Sequence, residues 1–577
     1  MRIDEAFKRI TAGEVEPDQV VKGDRFSISA YSADKVGLPH IRVTDKVSGL
    51  IIGTFTPGTD KSFNMFQAWI AARHSRSAES TLQIAQDAIE KGVDAGAKMQ
   101  QTVEAYGHES VRDMSYIGVS FENIPIDLAA KLFYATRIHS GQEKSTRYQR
   151  KFGLRSLVPL DAALPEETSA EVIEETSEAY RIIGDVAMEL YAKYKELIVD
   201  KLGRIFIPSN REEHLAVELR ALDCVSFFLP QAVETGMVLF TTIQHWQRLI
   251  AHLKGSEIRR DVLLGEQLEY LLNPPEEVAQ QLNYIPEAGT LLKHTKPFTS
   301  FHNTFREVVA YLRENNIIAT TKREIIGVHS QRVVRMPHRN KEDIIIRSLV
   351  FQFLSEVFPS IEYKDVIKIF NKITLIKRRG IISLLTKGYD RFKPLDEIMA
   401  VTAMQSTVET SMAVVRDLNR HRAQARYIRI PIFQGRALTY EMLQGEIAKG
   451  FILPVHMTHL REMKEIKEGM IKDLEDYYAQ VEAFALWLFE KHGNTIDYSF
   501  VHALLPMAHR TQLTMHGDPK TWFYTIAQRT AVGGRIDYRI LVEQMAENLA
   551  RDQTFPRDFF PINRVDPQSR DQFYGRS

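Results

Sequence analysis

The sequence predicts an α+β protein built as two tandem units, each a small antiparallel sheet with long helices. Three observations carry that reading: a strand-like stretch at residues 25–55, two long amphipathic segments at 166–202 and 457–492, and an internal repeat whose copies begin shortly after each long segment. Length agrees, because one hydrophobic core stops growing near ~250–300 residues and this chain has 577.

Residues 25–55 alternate apolar and polar side chains (Phe26, Ser27, Ile28, Ser29) between Gly and Pro punctuation and end in the apolar run 49–53, the pattern of short antiparallel strands. From residue 64 the period changes. Phe66 and Ile70, then Leu82, Ile84, Ala85, Ala88 and Ile89, recur at helical spacing, and the pattern continues with breaks to about residue 105. An apolar helix is expected at 128–134. The long segments 166–202 and 457–492 stop at Gly203 and Gly493, each expected to be a left-handed cap. Residues 325–335 read as a strand opening the second unit.

After each long helix comes a Leu-Pro pair, Leu229-Pro230 and Leu505-Pro506. Laying residues 229–251 on 505–527 without gaps, an offset of 276, gives 7 identities in 23 positions, including Ala232 with Ala508 and Trp246 with Trp522. Upstream, Arg137, Arg147, Tyr148 and Arg150 fall on Arg416, Arg426, Tyr427 and Arg429 at a constant offset of 279. The expected domains are therefore 1–272 and 321–555. A linker region at 273–320 contains Pro274, Pro275 and Pro286, and a polar tail covers 556–577.

Composition excludes several function classes. With 74 Lys+Arg against 74 Asp+Glu the formal charge is 0, so a general basic field for nucleic acid is not expected. The lone Cys224 excludes an intramolecular disulfide framework and a cysteine-only metal cage, and its apolar surroundings (221–228) make an inert buried thiol the expectation. No apolar run approaches the ~18 residues of a membrane span, which leads to the expectation of a soluble, cytoplasmic protein with no membrane partner. There is no Walker loop, no G-x-G-x-x-G after a strand and no H-E-x-x-H helix, and no metal-ligating set is expected. What remains is the polar stretch 137–148. There Arg137, Glu143, Ser145 and Arg147 follow an apolar helix and offer guanidinium donors for phosphate and an acceptor for an imide or hydroxyl.

That stretch, A-T-R-I-H-S-G-Q-E-K-S-T-R-Y from Ala135 to Tyr148, resembles the signature R-H-R-x-x-S-x-N-E-x-S-x-R-Y of the flavin-dependent thymidylate synthases. Three neighbouring segments resemble that family in order: Ala71-Ala72-Arg73-His74-Ser75, Gly107-His108-Glu109-Ser110, and Leu229-Pro230 followed by Thr235. In the second unit the resemblance runs from Gly517-Asp518 through Trp522 and Arg529 to Asp537-Tyr538-Arg539.

The resemblance implies FAD reduced by a nicotinamide donor, a folate methylene donor, and a deoxyuridylate as the small-molecule nucleotide substrate. It assigns Arg529 as the catalytic residue that polarises the pyrimidine, Ser110, Arg137, Ile138 and Glu143 to the flavin, and Glu143, Ser145 and Arg147 to the substrate. Because the family assembles as tetramers, it implies a homodimer of fused pairs. The chain departs from the signature at Ala135 and Thr136 and has Leu132 where the family has glutamine, while Leu253 and Lys254 stand opposite Arg529. At the 279 offset the triplet Arg420-His421-Arg422, which spells the start of the signature, is out of register, with Arg422 opposite Glu143. The expected outcome is a composite site with the loop from one half and Arg529 from the other. The second class kept open is a diverged flavin- or nucleotide-binding homologue without thymidylate chemistry.

Overall fold

The computed structural model describes residues 15–31, 40–54, 69–70, 72–74, 77–93, 115–135, 139–144, 168–282, 288, 292, 295–299, 327–334, 374, 404–421, 423–552 and 560–575. The strand-like stretch forms a meander of β1 (Gln19–Lys22), β2 (Phe26–Tyr31), β3 (His40–Asp45) and β4 (Ile51–Thr54), each antiparallel to the next. The sheet continues through β5 (Tyr116–Pro125), β7 (Glu234–Thr242) and β6 (Ser140–Glu143), giving the order β1-β2-β3-β4-β5-β7-β6. Alternation puts Ile28, Val43, Ile52, Val119 and Phe121 into the core, where they meet Trp246 and Leu268.

The first unit's helices are α1 (Thr81–Glu90), α2 (Ile126–Ala135), α3 (Ala170–Phe206), α4 (Arg211–Val225), α5 (Ile243–Lys254) and α6 (Arg259–Leu272). In the second unit, β8 (Val328–His329) pairs in parallel with β12 (Phe451–Ile452). A four-stranded sheet has the order β11-β13-β10-β9, built from β9 (Arg332–Val334), β10 (Met404–Ser411), β11 (Ala425–Ile428) and β13 (Arg510–Gly517). Its helices include α7 (Met412–Leu418), α8 (Tyr440–Ile447), α9 (Lys464–His492), α10 (Ser499–His502), α11 (Pro519–Thr530) and α12 (Ile536–Asp552). No described helix is long and apolar enough to cross a membrane.

The strand order β6-β7-β5-β4 repeats as β11-β13-β10-β9, so the duplication read from the Leu-Pro pairs is structural. The Trp246 indole donates to Ile117 O at 3.1 Å, and the Trp522 indole donates to Met404 O at 3.1 Å. Both rings are fully buried, the anchoring expected of a tryptophan with a satisfied N–H.

The two Leu-Pro segments also meet each other. Pro230 pairs with Pro506 in an antiparallel bridge. On one side Gln231 N donates to Leu505 O at 3.2 Å and Ala232 N to Ala503 O at 2.7 Å; on the other, Met507 N donates to Leu229 O and Ala508 N to Phe227 O, both at 2.8 Å. Each bond has its repeat counterpart at 276, the signature of a two-fold-like contact. Around it one apolar core runs through both units, from Tyr180, Tyr194 and Phe227 to Tyr477, Leu505 and Trp522.

Two expectations need correction. Gly203 does not end its helix: α3 runs on to Phe206 and is capped by Ile207 in the left-handed region (φ 49°), whose N–H bonds Gly203 O. Packing of Phe206 against Phe573, with ring centroids 3.7 Å apart, favours the extra turn over the local glycine signal. Gly493 does cap α9, at φ 57°, but that helix starts at Lys464 because short helical turns occupy Val455–His459 and Arg461–Met463 first.

The second correction concerns register. Gly141 of β6 faces Leu239, and Arg426 of β11 faces Met515; since 239 and 515 are repeat partners, Gly141 matches Arg426, an offset of 285. Likewise Ile126 N bonds Val233 O and Met412 N bonds His509 O, an offset of 286. The 279 register is therefore wrong: the Arg-Tyr identities that suggested it do not survive the pairing imposed by β7 and β13. Ile428 is the counterpart of Glu143, and Ala130, not Arg137, is the counterpart of Arg416. To within one residue, Arg420-His421-Arg422 fall on Ala135-Thr136-Arg137, so the triplet is in register with the signature.

Because a single core spans the two units, Phe227→Ala of the first and Trp522→Ala of the second should each cost about 3–5 kcal/mol. Urea unfolding followed by circular dichroism should show one shared transition for either variant. A variant that unfolds only its own unit would contradict the common core.

Candidate functional site

Glu143 ends β6, held by pairing with Met237 on β7, and its side chain is fully buried. It does not face its own unit. Arg416 of α7 crosses the junction and grips it in bidentate fashion, Nε to Oε2 at 2.9 Å and Nη2 to Oε1, while Nη2 also reaches Lys144 O at 3.0 Å. Arg420 adds a second guanidinium 3.6 Å from Oε2. Bidentate Arg–carboxylate pairs carry geometric specificity as well as energy, and this one fixes how the first unit's strand end sits against the second unit's helix. Asn419 strengthens the seam by donating to Ala130 O at 2.9 Å, and Arg426 donates to Phe133 O at 3.4 Å.

Next to Arg420, His421 is buried against α11. That helix opens on Asp518, whose carboxylate accepts Thr521 N at 2.6 Å ahead of Pro519, and in its last turn it presents Arg529. The Arg529 Nε donates to His421 Nε2, and Thr525 Oγ1 lies 3.4 Å from His421 Nδ1. With Nε2 accepting, His421 is the neutral Nδ1–H tautomer. The Arg529 guanidinium stacks 5.2 Å over Tyr538, leaving its Nη edge for other acceptors.

Two polar groups here have no hydrogen-bond partner among the described residues: Arg420 Nε and both ends of the buried Gln424 amide. Gly517 permits the Gln424 position, since a Cβ there would come within 3.0 Å of Gln424 Cγ. Buried unpaired donors and acceptors are costly, and both groups flank His421, the partner of Arg529.

At the twin junction generated by the repeat, the described residues are apolar instead. Counting on from β11, Ile428, Ile430, Ile432 and Phe433 stand where the first unit has Glu143, Ser145, Arg147 and Tyr148, and all four are buried core residues. Leu253, opposite Arg529, is also fully buried, and Lys254 turns away to Glu269 at 2.5 Å. Tyr134 packs edge-on against Phe433 at 5.7 Å, and burial raises its phenol pKa. One junction is ionic; the other is packed.

Of the residues expected from the sequence, Glu143 and Arg529 are brought to the same junction through Arg420 and His421. Ser110, Arg137, Ile138, Ser145 and Arg147 lie outside the described residues, as does Arg422. Arg416, Arg420 and His421 were missed, although the triplet 420–422 was a visible signal, set aside through the wrong register.

The late arginine Arg539 is fully buried and structural, bonding Thr530 O at 3.3 Å and Gln572 Oε1 at 3.0 Å. Arg220 likewise ties the C-terminal segment, through Phe573 O and Gln572 O, to Gly534 O ahead of α12. Burial pushes the Asp537 carboxyl up to about 6, against the pull of Arg535. Cys224 is buried and its thiol is pushed well up by desolvation, which makes it unreactive.

Residues 62–258 and 395–556 match the family described as Thymidylate synthase complementing protein. Among solved structures, the chain is similar to a UMP/dUMP methylase PolB from Streptomyces cacaoi bound with 5-Br dUMP, at 13% identity, covering 44% of this chain and 99% of that one with a TM-score of 0.29. It is also similar to the flavin dependent thymidylate synthase ThyX from Helicobacter pylori complexed with FAD and dUMP, at 15% identity, 38% and 93% coverage and a TM-score of 0.23. No curated protein matches.

Removing one partner of the buried pair should be far worse than removing both. Arg416→Met leaves Glu143 with only the 3.6 Å Arg420 contact and should cost about 3–5 kcal/mol, whereas the double variant Glu143→Met, Arg416→Met should stay near the parent stability. A urea double-mutant cycle checks this; additive losses would show that the two groups do not interact.

Proposed function

Because the chain belongs to the thymidylate synthase complementing protein family, which matches more than half of its 577 residues, we propose that it is a flavin-dependent methyltransferase of the thymidylate synthase type. It acts on a deoxyuridylate with a folate methylene donor, at one composite site per chain. The observation that carries this reading is the sorting of charge: Glu143 of the first unit meets Arg416, Arg420, His421 and Arg529 of the second, while the twin junction is filled by Ile428, Phe433 and Leu253.

The described part of the junction suits the anionic nucleotide the family implies. Arg420 Nε and the Gln424 amide, unpartnered among the described residues, are donors suited to phosphate or imide oxygens beside Arg529. Arg137, Ile138 and Ser110 would hold FAD, and Ser145 and Arg147 the nucleotide. Bound flavin, recharged by a nicotinamide donor, supplies the hydride.

The protein's share is electrostatic. Arg529, oriented by neutral His421 and the Tyr538 face, would stabilise the negative charge developing on the pyrimidine oxygen, and a preorganised donor of this kind needs no reorganisation during reaction. Glu143 is a positioning residue: buried and bound to Arg416, it fixes the two arginines instead of touching the ligands itself. This reading divides the chain into units at 1–272 and 321–555 joined through 273–320, and pairs two chains as a cytoplasmic homodimer.

A second reading, a nucleotide or flavin binder without methyl transfer, draws on one observation. Leu132 is a fully buried core residue where the family has glutamine, so one nucleotide contact is missing.

The purified protein should be yellow, with flavin absorbance in the visible, and should release methylated product from dUMP. Arg529→Ala should lower turnover by about 10²–10³-fold with flavin retained. Arg147→Ala and Arg529→Ala should lose nucleotide affinity non-additively, as residues sharing a site do. Flavin and nucleotide binding with no product at any enzyme concentration would favour the second reading, and a colourless protein that binds neither would defeat both.

A further inference from the structure

We propose that Glu446, His502 and His509 form a binding site for one divalent transition-metal ion of the zinc class, which braces the segment joining the two units. The site is independent of the flavin junction. Glu446 comes from α8, His502 from the end of α10 and His509 from the residue before β13, and both histidines are fully buried. One ligand atom from each lies within 4.8 Å of the others. The Glu446 Oε2 is 3.4 Å from His509 Nε2 and 4.0 Å from His502 Nε2, with the two rings 5.5 Å apart and almost perpendicular. A tetrahedral ion with bonds of about 2.0–2.2 Å sets its donor atoms roughly 3.3–3.5 Å apart, so only a small contraction is needed.

Two further observations point to a ligand. Neither ring nitrogen of His502 has a hydrogen-bond partner among the described residues, although the ring is wholly desolvated. His509 is set up as a metal-bound imidazole usually is: its Nδ1 lies 3.1 Å from the Tyr478 hydroxyl, which itself donates to Gly450 O at 3.1 Å. The Tyr478 hydroxyl, donating to Gly450 O, can accept an Nδ1–H from His509, which frees Nε2, now 3.4 Å from Glu446 Oε2 in a hydrogen bond, to bind an ion in place of that proton. At present Lys449 neutralises Glu446 from 2.6 Å; it sits on the rim, 3.4 Å from Arg429 O, and can turn outward to that carbonyl. Two imidazoles and a carboxylate are a common donor set for zinc and leave a fourth position for water.

The two histidines bracket residues 503–508, the stretch whose backbone bonds the first unit through Ala503, Leu505, Met507 and Ala508. An ion held by both would clamp that stretch at its ends. The repeat counterparts of His502 and His509 are Ser226 and Val233, which supply no such pair, so the stoichiometry is one ion per chain.

Full-length protein is incubated with zinc chloride, desalted and analysed for metal by mass spectrometry. The same is done with cobalt(II), whose visible d–d bands report ligand geometry. One zinc per chain, tetrahedral-type cobalt bands and a zinc-dependent rise in melting temperature are expected in the parent. All three should be lost in His502→Ala and Glu446→Gln, whereas Tyr478→Phe should weaken zinc binding about 10–100-fold. Lys449→Met, which keeps every ligand and removes the competing cation, should bind zinc more tightly; it and the parent provide the test if the ligand variants fail to fold. No retained metal in the parent, equal metal content in His502→Ala, or weaker binding in Lys449→Met would overturn the site.

Discussion

The antiparallel meeting of Leu229-Pro230 with Leu505-Pro506 is the contact on which the rest of this structure depends. Four backbone hydrogen bonds, two in each direction, tie the repeated segments together at the centre of a core that belongs to both units. Apart from Gln231, the residues that make it are small or apolar, Ala232, Ala503 and Ala508 among them, so that the two backbones can approach. Once it is formed, the flanking elements have little freedom: α3 and α9 lie antiparallel, with Tyr194 bonding Asp473 at 2.8 Å, and α7 meets β6 through Arg416 and Glu143 while α2 meets β11 through Phe133 O and Arg426.

A two-fold-like contact creates two equivalent junctions, and a fused chain is free to treat them differently. A homodimer cannot, because each substitution appears twice. Here the freedom has been used fully. One junction buries a bidentate Arg416–Glu143 pair with Arg420 beside it; the other replaces charge by Ile428, Ile432, Phe433 and Leu253. Burying an ion pair is a poor way to gain stability, since its desolvation cost roughly cancels its Coulomb energy, whereas well-packed apolar groups stabilise directly. The packed junction is built for stability, and the ionic one holds the His421–Arg529 bond together with Arg420 Nε and the Gln424 amide, which have no partner among the described residues.

Periodicity and punctuation in the sequence were enough to show the meander at 25–55, the long helices, the Trp246 and Trp522 anchors and the duplication. Each of these is a local or directly repeated signal. The sequence also marked Glu143 and Arg529, by residue type and by resemblance to a known family. It misled where a local cue met a tertiary one. Gly203 has the look of a cap, but Phe206 gains more from stacking on Phe573 than the helix would from ending early.

The register of the second unit's signature shows the division most clearly. Residue identity favoured matching Arg147-Tyr148 to Arg426-Tyr427, while strand pairing matches Arg426 to Gly141. Identity between side chains carries no information about insertions in the intervening loop; hydrogen bonding along β7 and β13 fixes position absolutely, because a one-residue slip would turn every core side chain outward. By itself, then, the sequence determined that two related units exist and which residue types carry chemistry. Only the tertiary structure decided which of those residues meet, because Glu143 and Arg416 are separated by 273 positions along the chain and become neighbours solely through the junction that folding creates.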